Sequence, residues 1–268
     1  LVIVLFCLIA RATSLEFRSK ATGRWTVLAC DLLFSVASIV ATFVLGVATG
    51  AVMEGVPIDP AGNLVLPGTM TPGGPGPFAE ITFALTPFSV TCGVLALTLF
   101  ALHGAMFLNL KATGITETRI RGAFIGMYLA FLGSLLMATF LAFRDVDAAS
   151  GFTLLGGFAT LLNVLAIVNL AWAMRQRGKW RCFLASTVMV TAMIVLFGST
   201  IHPNLLVSSL DPTWSITIQN AASTRATLLT MFVVVVVGIP FVLLYTAITY
   251  WTFRGTVSVE DVPEDRTA

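Results

Sequence analysis

The sequence predicts an all-α fold, a polytopic bundle of helices that crosses a membrane several times. Of its 268 residues, 57% are hydrophobic and only 10% are charged, whereas soluble domains carry about 25% charged residues. The mean hydropathy is +0.95, and one secretory signal peptide could not raise the average of so long a chain. The net charge of +2 is too small to indicate nucleic-acid binding, so we expect no nucleic acid among the partners.

Seven apolar segments produce this hydropathy, and we interpret residues 1–268 as a single integral-membrane domain. They cover residues 1–11, 25–53, 83–110, 123–143, 152–174, 183–201 and 227–253. The first ends at Arg11, well short of the roughly 20 residues that a spanning helix needs. We therefore expect Leu1 to lie inside a truncated helix that begins earlier, and a cleaved signal peptide is the rival interpretation.

Lysine and arginine predict the orientation of these segments. Thirteen of the fifteen basic residues lie on alternate connections, and only Arg144 and Arg225 lie on the other side. Because basic residues are enriched in cytoplasmic loops, the pattern predicts a cytoplasmic C-terminus, with residues 254–268 as a short tail. The long connections 54–82 and 202–226 are then external.

The connection 54–82 is rich in proline and glycine, which prevent a regular helix or a central strand. Its sequence is compatible with an ordered cap over the bundle and with a mobile surface loop. Pro240, in the middle of the last span, removes a backbone hydrogen bond and predicts a kink.

The usual catalytic and metal-binding patterns do not occur in the sequence. There is no Ser-His-Asp arrangement, phosphate-binding loop or glycine-rich nucleotide motif, so we assign no catalytic, cofactor-binding or metal-binding residue. Cys7, Cys30, Cys92 and Cys182 lie in or beside apolar segments without C-x-x-C spacing, and we expect them to pack as small apolar residues.

Asp31 and His103 are the two clearly ionisable residues well inside the spans, so both are candidates for a function. Asp31 follows Trp25 by six residues, about 9 Å along a helix. It could form an ion pair with Arg18, Arg24 or a partner subunit, and the alternative is a role in a proton pathway.

His103 could in principle be a haem ligand. The other histidine, His202, heads an external connection, while His103 precedes Lys111 by eight residues and lies in the inner half of its span. The two side chains therefore cannot bind one iron together. A hydrogen bond from His103 to a neighbouring helix is the interpretation that we favour.

The segment 217–226 places many polar residues at the start of the last span. The first backbone N–H groups of a helix lack partners, and Asn220, Ser223 and Thr224 offer oxygens that could cap them. We expect a capped, buried helix entrance beneath the external loop, and direct contact with a substrate is the alternative.

Several blocks of the sequence resemble subunit II of the cytochrome bd-type quinol oxidases. The most specific are the two near the C-terminus, and the others follow in family order. They read HPNLLVSSLDPTWSITIQNAASTRATLLTM, GIPFVLLYTAITYWTFRG, LEFRSK, EGVP, TPFSVTCGVLAL and HGAMFLNLKATG. The resemblance implies two four-helix bundles and a peripheral helix, paired with a subunit I of similar fold. It places quinol oxidation and the haems in subunit I, so that no redox centre is expected in this chain.

The resemblance also implies features that the chain lacks or leaves open. From the resemblance we expect the first two helices of the family, with an acidic glycine-rich segment linked to proton delivery, to be missing before Leu1. The resemblance implies a bacterial or archaeal cytoplasmic membrane and the membrane quinol pool. It leaves open whether this subunit binds a quinone or lipid and whether a small accessory subunit is a further partner. A secondary transporter is the alternative function, but a transporter should show several acids at the membrane midplane.

Overall fold

The structure is a computed structural model that describes residues 2–60, 62–65, 84–146 and 154–256. It confirms the all-α prediction, because seven helices account for most of the described residues. They are α1 (Val2–Lys20), α2 (Arg24–Glu54), α3 (Pro87–Lys111), α4 (Ile115–Asp145), α5 (Leu154–Arg175), α6 (Lys179–Ile201) and α7 (Arg225–Thr252).

Six of these helices, α2 to α7, are long and apolar enough to cross a membrane in the part of the chain that the structure describes. Helix α1 differs because its apolar part is short. It nevertheless continues through Arg11 to Lys20, beyond the predicted segment 1–11. Arginine, glutamate and lysine favour helical geometry, so the helix does not end where its apolar residues end.

Helices α3 to α6 enclose the hydrophobic core. Their largest fully buried side chains include Leu102, Met106, Phe131, Leu170 and Met189, which belong to one continuous cluster. Helix α2 packs against α3, and α1 packs against the other side of α2. The described chain is therefore a four-helix bundle with a helix pair beside it.

The basic-rich ends of several helices lie on the same side of the molecule, which we call the inner side. Lys179 Nζ lies 2.8 Å from Glu117 Oε2 and 3.2 Å from the carbonyl oxygen of Ala112. Lys111 Nζ donates to the carbonyl oxygen of Phe253 at 2.8 Å. These contacts join the ends of α3, α4, α6 and α7.

The described parts of the two outer connections form one ordered layer. Strands β1 (Asn204–Leu206) and β2 (Ile216–Thr217) pair antiparallel, and the Val56 amide donates to the Val207 carbonyl at 2.8 Å. Ser208 Oγ donates to the carbonyl oxygen of Ile58 at 3.0 Å. Residues 55–60 and 62–65 thus belong to an ordered cap, while 66–83 lie outside the described residues.

Helix α7 lies beside the rest of the described chain. Pro240 is inside it, and none of its residues is buried. Lys111 Nζ donates to the carbonyl oxygens of Phe253 and Gly255, directly after the end of α7. A helix that is apolar all round is stable in lipid because its backbone groups are satisfied within the helix, so α7 suits a peripheral position.

Candidate functional site

Asp31 forms an ion pair with Arg18 across the contact between α1 and α2. Arg18 Nε lies 2.5 Å from Asp31 Oδ1, and Arg18 Nη2 lies 3.4 Å from Asp31 Oδ2. The two side chains are 53% and 47% exposed, so the ion pair is half-buried within this chain. Its position on the outside of the helix pair leaves half of the carboxylate open to a further neighbour.

Arg11 adds a second cationic contact to the same helix pair. Its guanidinium carbon lies 5.3 Å from the ring centroid of Phe34 on α2, within the range of a cation–π interaction. Both arginines of α1 therefore point toward α2. Because Asp31 precedes Phe34 by three residues, the contacts of α1 lie on one face of α2.

His103 joins α3 to α6 through Ser186. Its Nδ1 lies 3.0 Å from Ser186 Oγ, and Ser186 Oγ donates its own proton to the Phe183 carbonyl at 2.8 Å. The Ser186 hydroxyl thus links the His103 ring to the backbone of α6. The imidazole also stacks on the Phe183 ring with centroids 5.4 Å apart.

The two histidines of the chain lie at different depths of the bundle. His103 precedes Lys111 by eight residues on α3, whereas His202 follows the outer end of α6, so the two side chains cannot bind one iron together. Among the described residues, no group of three or more His, Cys, Asp or Glu side chains could hold a metal ion.

The start of α7 differs from the predicted entrance. Thr224 is the N-cap, and its side chain accepts from the Thr227 amide at 3.4 Å. Asn220 does not cap α7: its Oδ1 accepts from the Thr217 amide at 2.7 Å, and its Nδ2 donates to the Ser215 carbonyl at 3.1 Å. Asn220 lies five residues before Arg225, too far for a short side chain to reach the first turn.

The entrance is also not buried within this chain. Asn220, Ser223 and Thr224 are all exposed, so the prediction of a buried entrance beneath the loop is wrong for the chain by itself. Asn220 instead closes the turn after β2, since its backbone amide also donates to Thr217 Oγ1 at 3.1 Å. The polar segment 217–226 therefore contains two separate features, a turn at 217–220 and the N-cap of α7 at Thr224.

Two features inside the bundle were not predicted from the sequence. The first is the burial of Asn109 on α3, which is 1% exposed. The sequence feature that could have indicated it is the helical spacing of Asn109 from the apolar residues Leu102 and Met106. The second is the close approach of α2 and α3, where a Cβ on Gly46 would lie 2.7 Å from the Gly93 Cα. Its signal was the spacing Gly46-x-x-x-Gly50, which is typical of close helix contacts in membranes.

A cavity of ≈ 430 Å³ lies between α2, α3 and α6. Its lining is almost entirely apolar, with a few hydroxyl and thiol groups. Residues from all three helices contribute to it, among them Thr42, Thr49, Cys92, Leu99, Ile194 and Phe197. A cavity of this character suits a hydrocarbon chain better than a polar substrate.

The helices and their contacts define the class of the protein: it is a multi-pass helical membrane protein. Its two ionisable residues within the spans, Asp31 and His103, both lie at contacts between helices. The family model for cytochrome bd terminal oxidase subunit II matches residues 1–253. The chain therefore belongs to the cytochrome bd terminal oxidase subunit II family, which confirms the resemblance.

Individual relatives agree with this membership. The cytochrome bd ubiquinol oxidase subunit 2 of Bacillus subtilis is 27% identical over 263 residues, covering 96% of this chain and 72% of that protein. The cytochrome bd-I ubiquinol oxidase subunit 2 of Escherichia coli K12 is 26% identical over 293 residues, covering 98% and 74%. The alternative of a secondary transporter is not supported.

A solved structure shows the same fold. A chain of the bd oxidase from Geobacillus thermodenitrificans superposes with a TM-score of 0.71 at 16% sequence identity, covering 94% of this chain and 72% of that chain. At so low an identity the likeness concerns the fold alone.

Proposed function

We propose that the chain acts as subunit II of a cytochrome bd-type terminal oxidase in a bacterial cytoplasmic membrane. In this role it pairs with a haem-bearing subunit I, and the complex passes electrons from membrane quinol to oxygen, which is reduced to water. The observation that carries the proposal is the family match over residues 1–253, which includes all seven helices of the described chain.

The role that we propose for this chain is that of a partner without a redox centre of its own. The different depths of His103 on α3 and His202 after α6 support this role, because the two side chains cannot bind one iron together. The haems of the complex are then in subunit I. This chain supplies a packed four-helix bundle and an apolar surface on which a second membrane subunit can assemble.

The Asp31–Arg18 pair fits a structural role in this assembly. Because its two charges neutralise each other at 2.5 Å, the pair can lie at the edge of the membrane at lower cost than either charge alone. Transfer of protons through Asp31 is the alternative role. A variant that removes both charges of the pair distinguishes the structural role from proton transfer.

For the cavity between α2, α3 and α6 we propose a hydrocarbon occupant, the tail of a quinone or an acyl chain of a lipid. Its apolar lining supports this proposal. Ile194 lines the cavity and is 63% exposed, so Ile194→Trp should fill the cavity without disturbing the core. Extraction and mass spectrometry should find less quinone or lipid per haem in this variant than in the wild type.

The main proposal is tested with a tagged copy of the chain in its native membrane. We expect a second, haem-bearing membrane subunit to co-purify with it, and the purified complex to consume oxygen when given quinol. Deleting the gene should remove this activity and the haem signals of the complex. Purification of the chain without any haem protein, together with unchanged quinol-driven oxygen uptake after deletion, would contradict the proposal.

A further inference from the structure

Asn109 is a polar side chain enclosed by the apolar core of the bundle. It is 1% exposed, and on the same face of α3 lie Leu102 and Met106, which are 0% exposed. Neither Nδ2 nor Oδ1 of Asn109 has a hydrogen-bond partner in the part of the chain that the structure describes. A buried amide whose donor and acceptor both lack partners is strongly unfavourable, so a partner of another kind is expected.

The inner end of the bundle lies close to Asn109. Ala112, one helical turn further along α3, accepts a hydrogen bond from Lys179 Nζ at 3.2 Å, and the same Nζ lies 2.8 Å from Glu117 Oε2. Asn109 is about 4.5 Å from Ala112 along the helix axis. The Lys179 and Glu117 side chains are 29% and 24% exposed, so this ion pair connects the region beside Asn109 with the inner surface.

We propose that Asn109 binds ordered water inside the bundle, supplied from the inner surface along the Lys179–Glu117 pair. Water both donates and accepts, so it can satisfy the amide nitrogen and the carbonyl oxygen alike. A metal cation requires several oxygen ligands and could not satisfy the amide nitrogen. Neutral water fits both atoms, and the site is then a hydrated position at the inner end of an otherwise apolar core.

Radiolytic labelling of the purified complex tests this proposal, because hydroxyl radicals formed from bound water oxidise the side chains beside it. Met106 precedes Asn109 by three residues on the same face of α3, one helical turn away. Met189 on α6 is the internal control, since it is also 0% exposed but lies about 15 Å along its helix from Lys179. We expect Met106 to be oxidised several-fold faster than Met189.

Variants identify the side chain that holds the water. Asn109→Leu should lower the oxidation of Met106 to the level of Met189, whereas Asn169→Leu, on the exposed face of α5, should leave it unchanged. Equal oxidation of Met106 and Met189 in the wild type would overturn the proposal, and so would oxidation of Met106 that is insensitive to Asn109→Leu. The comparison within the wild type decides the matter even where the leucine variant does not assemble.

Discussion

Gly46 of α2 lies directly against Gly93 of α3. A Cβ on Gly46 would come within 2.7 Å of the Gly93 Cα, and a Cβ on Gly93 would come equally close to the Phe43 ring. One turn further along α2, a Cβ on Gly50 would lie 2.6 Å from the Ser89 Cα. The backbones of α2 and α3 can pack this closely because these positions carry no side chain, as in other membrane helix pairs with small residues at the contact.

Gly46→Ala should therefore separate α2 from α3 and destabilise the complex. Overpacking of a tight contact costs about 1–3 kcal/mol, and here the obstacle is backbone, which cannot rotate away. Gly104→Ala is the matched control, because a Cβ at Gly104 would meet nothing within 4 Å and alanine favours the helix. The midpoint of thermal unfolding should fall for Gly46→Ala only. Equal unfolding midpoints for the two variants would contradict this prediction, because they would show that α2 and α3 have room for a methyl group at Gly46.

Asp31 and Arg18 should behave as a mutually dependent pair. Asp31→Asn and Arg18→Gln each leave one charge without its partner, so each single variant should reduce the yield of complex. The double variant has neither charge and should recover much of the yield, because the pair is half exposed and little else depends on it. The quantity to measure is the amount of assembled complex per cell membrane.

The same double variant separates the structural role of Asp31 from a role in proton transfer. If the pair is structural, oxygen consumption per haem should stay near the wild-type value in whatever complex assembles. A double variant that assembles well but turns over slowly would assign Asp31 to the proton route instead.

His103→Ala should reduce assembly and leave the type of haem spectrum unchanged. The substitution removes the hydrogen bond to Ser186 and the stacking on Phe183, both of which hold α3 to α6. His103→Asn is the conservative control, since its amide can either donate to or accept from Ser186 in place of Nδ1. Selective loss of one haem signal at full yield of complex would show that His103 binds iron.

The helices and their order could be predicted from the sequence because hydrophobic length is a direct requirement of the bilayer. The same requirement says little about which polar side chains meet. Asn220 shows this limit: asparagine is favoured both in helix caps and in turns, and only the fold decides that it bonds with Ser215 and Thr217. The short strands β1 and β2 were missed because their pairing depends on a loop, not on a periodic pattern.

Asn109 was not predicted for a related reason. A single polar residue near the end of an apolar span is compatible with a lipid headgroup, a neighbouring helix or water, and the sequence does not show which face it occupies. Its burial follows from the packing of α3 within the bundle. The contact of Gly46 with Gly93, by contrast, was readable from the spacing of Gly46 and Gly50.

The orientation in the membrane stays a prediction, which topology reporters can test. The inner contacts of Lys111 and Lys179 agree with basic-rich ends on one side, but they do not say which side faces the cytoplasm. A reporter after Arg266 should report a cytoplasmic location, and one within residues 60–75 an external one. The opposite result at either position would reverse the proposed orientation.

Asn220→Leu should affect assembly more than chemistry. Leucine removes the acceptor for the Thr217 amide and the donor to the Ser215 carbonyl, each worth about 0.5–1.5 kcal/mol, so the turn after β2 should loosen. Asn220→Asp keeps the acceptor and should be milder, while Thr224→Ala tests the true N-cap of α7 at a cost of about 0.5–2 kcal/mol. The deciding measurements are the yield of complex and the oxygen consumption per haem. Because Asn220 is exposed within this chain, full assembly of Asn220→Leu with collapsed turnover would instead place it in contact with the working site of the oxidase.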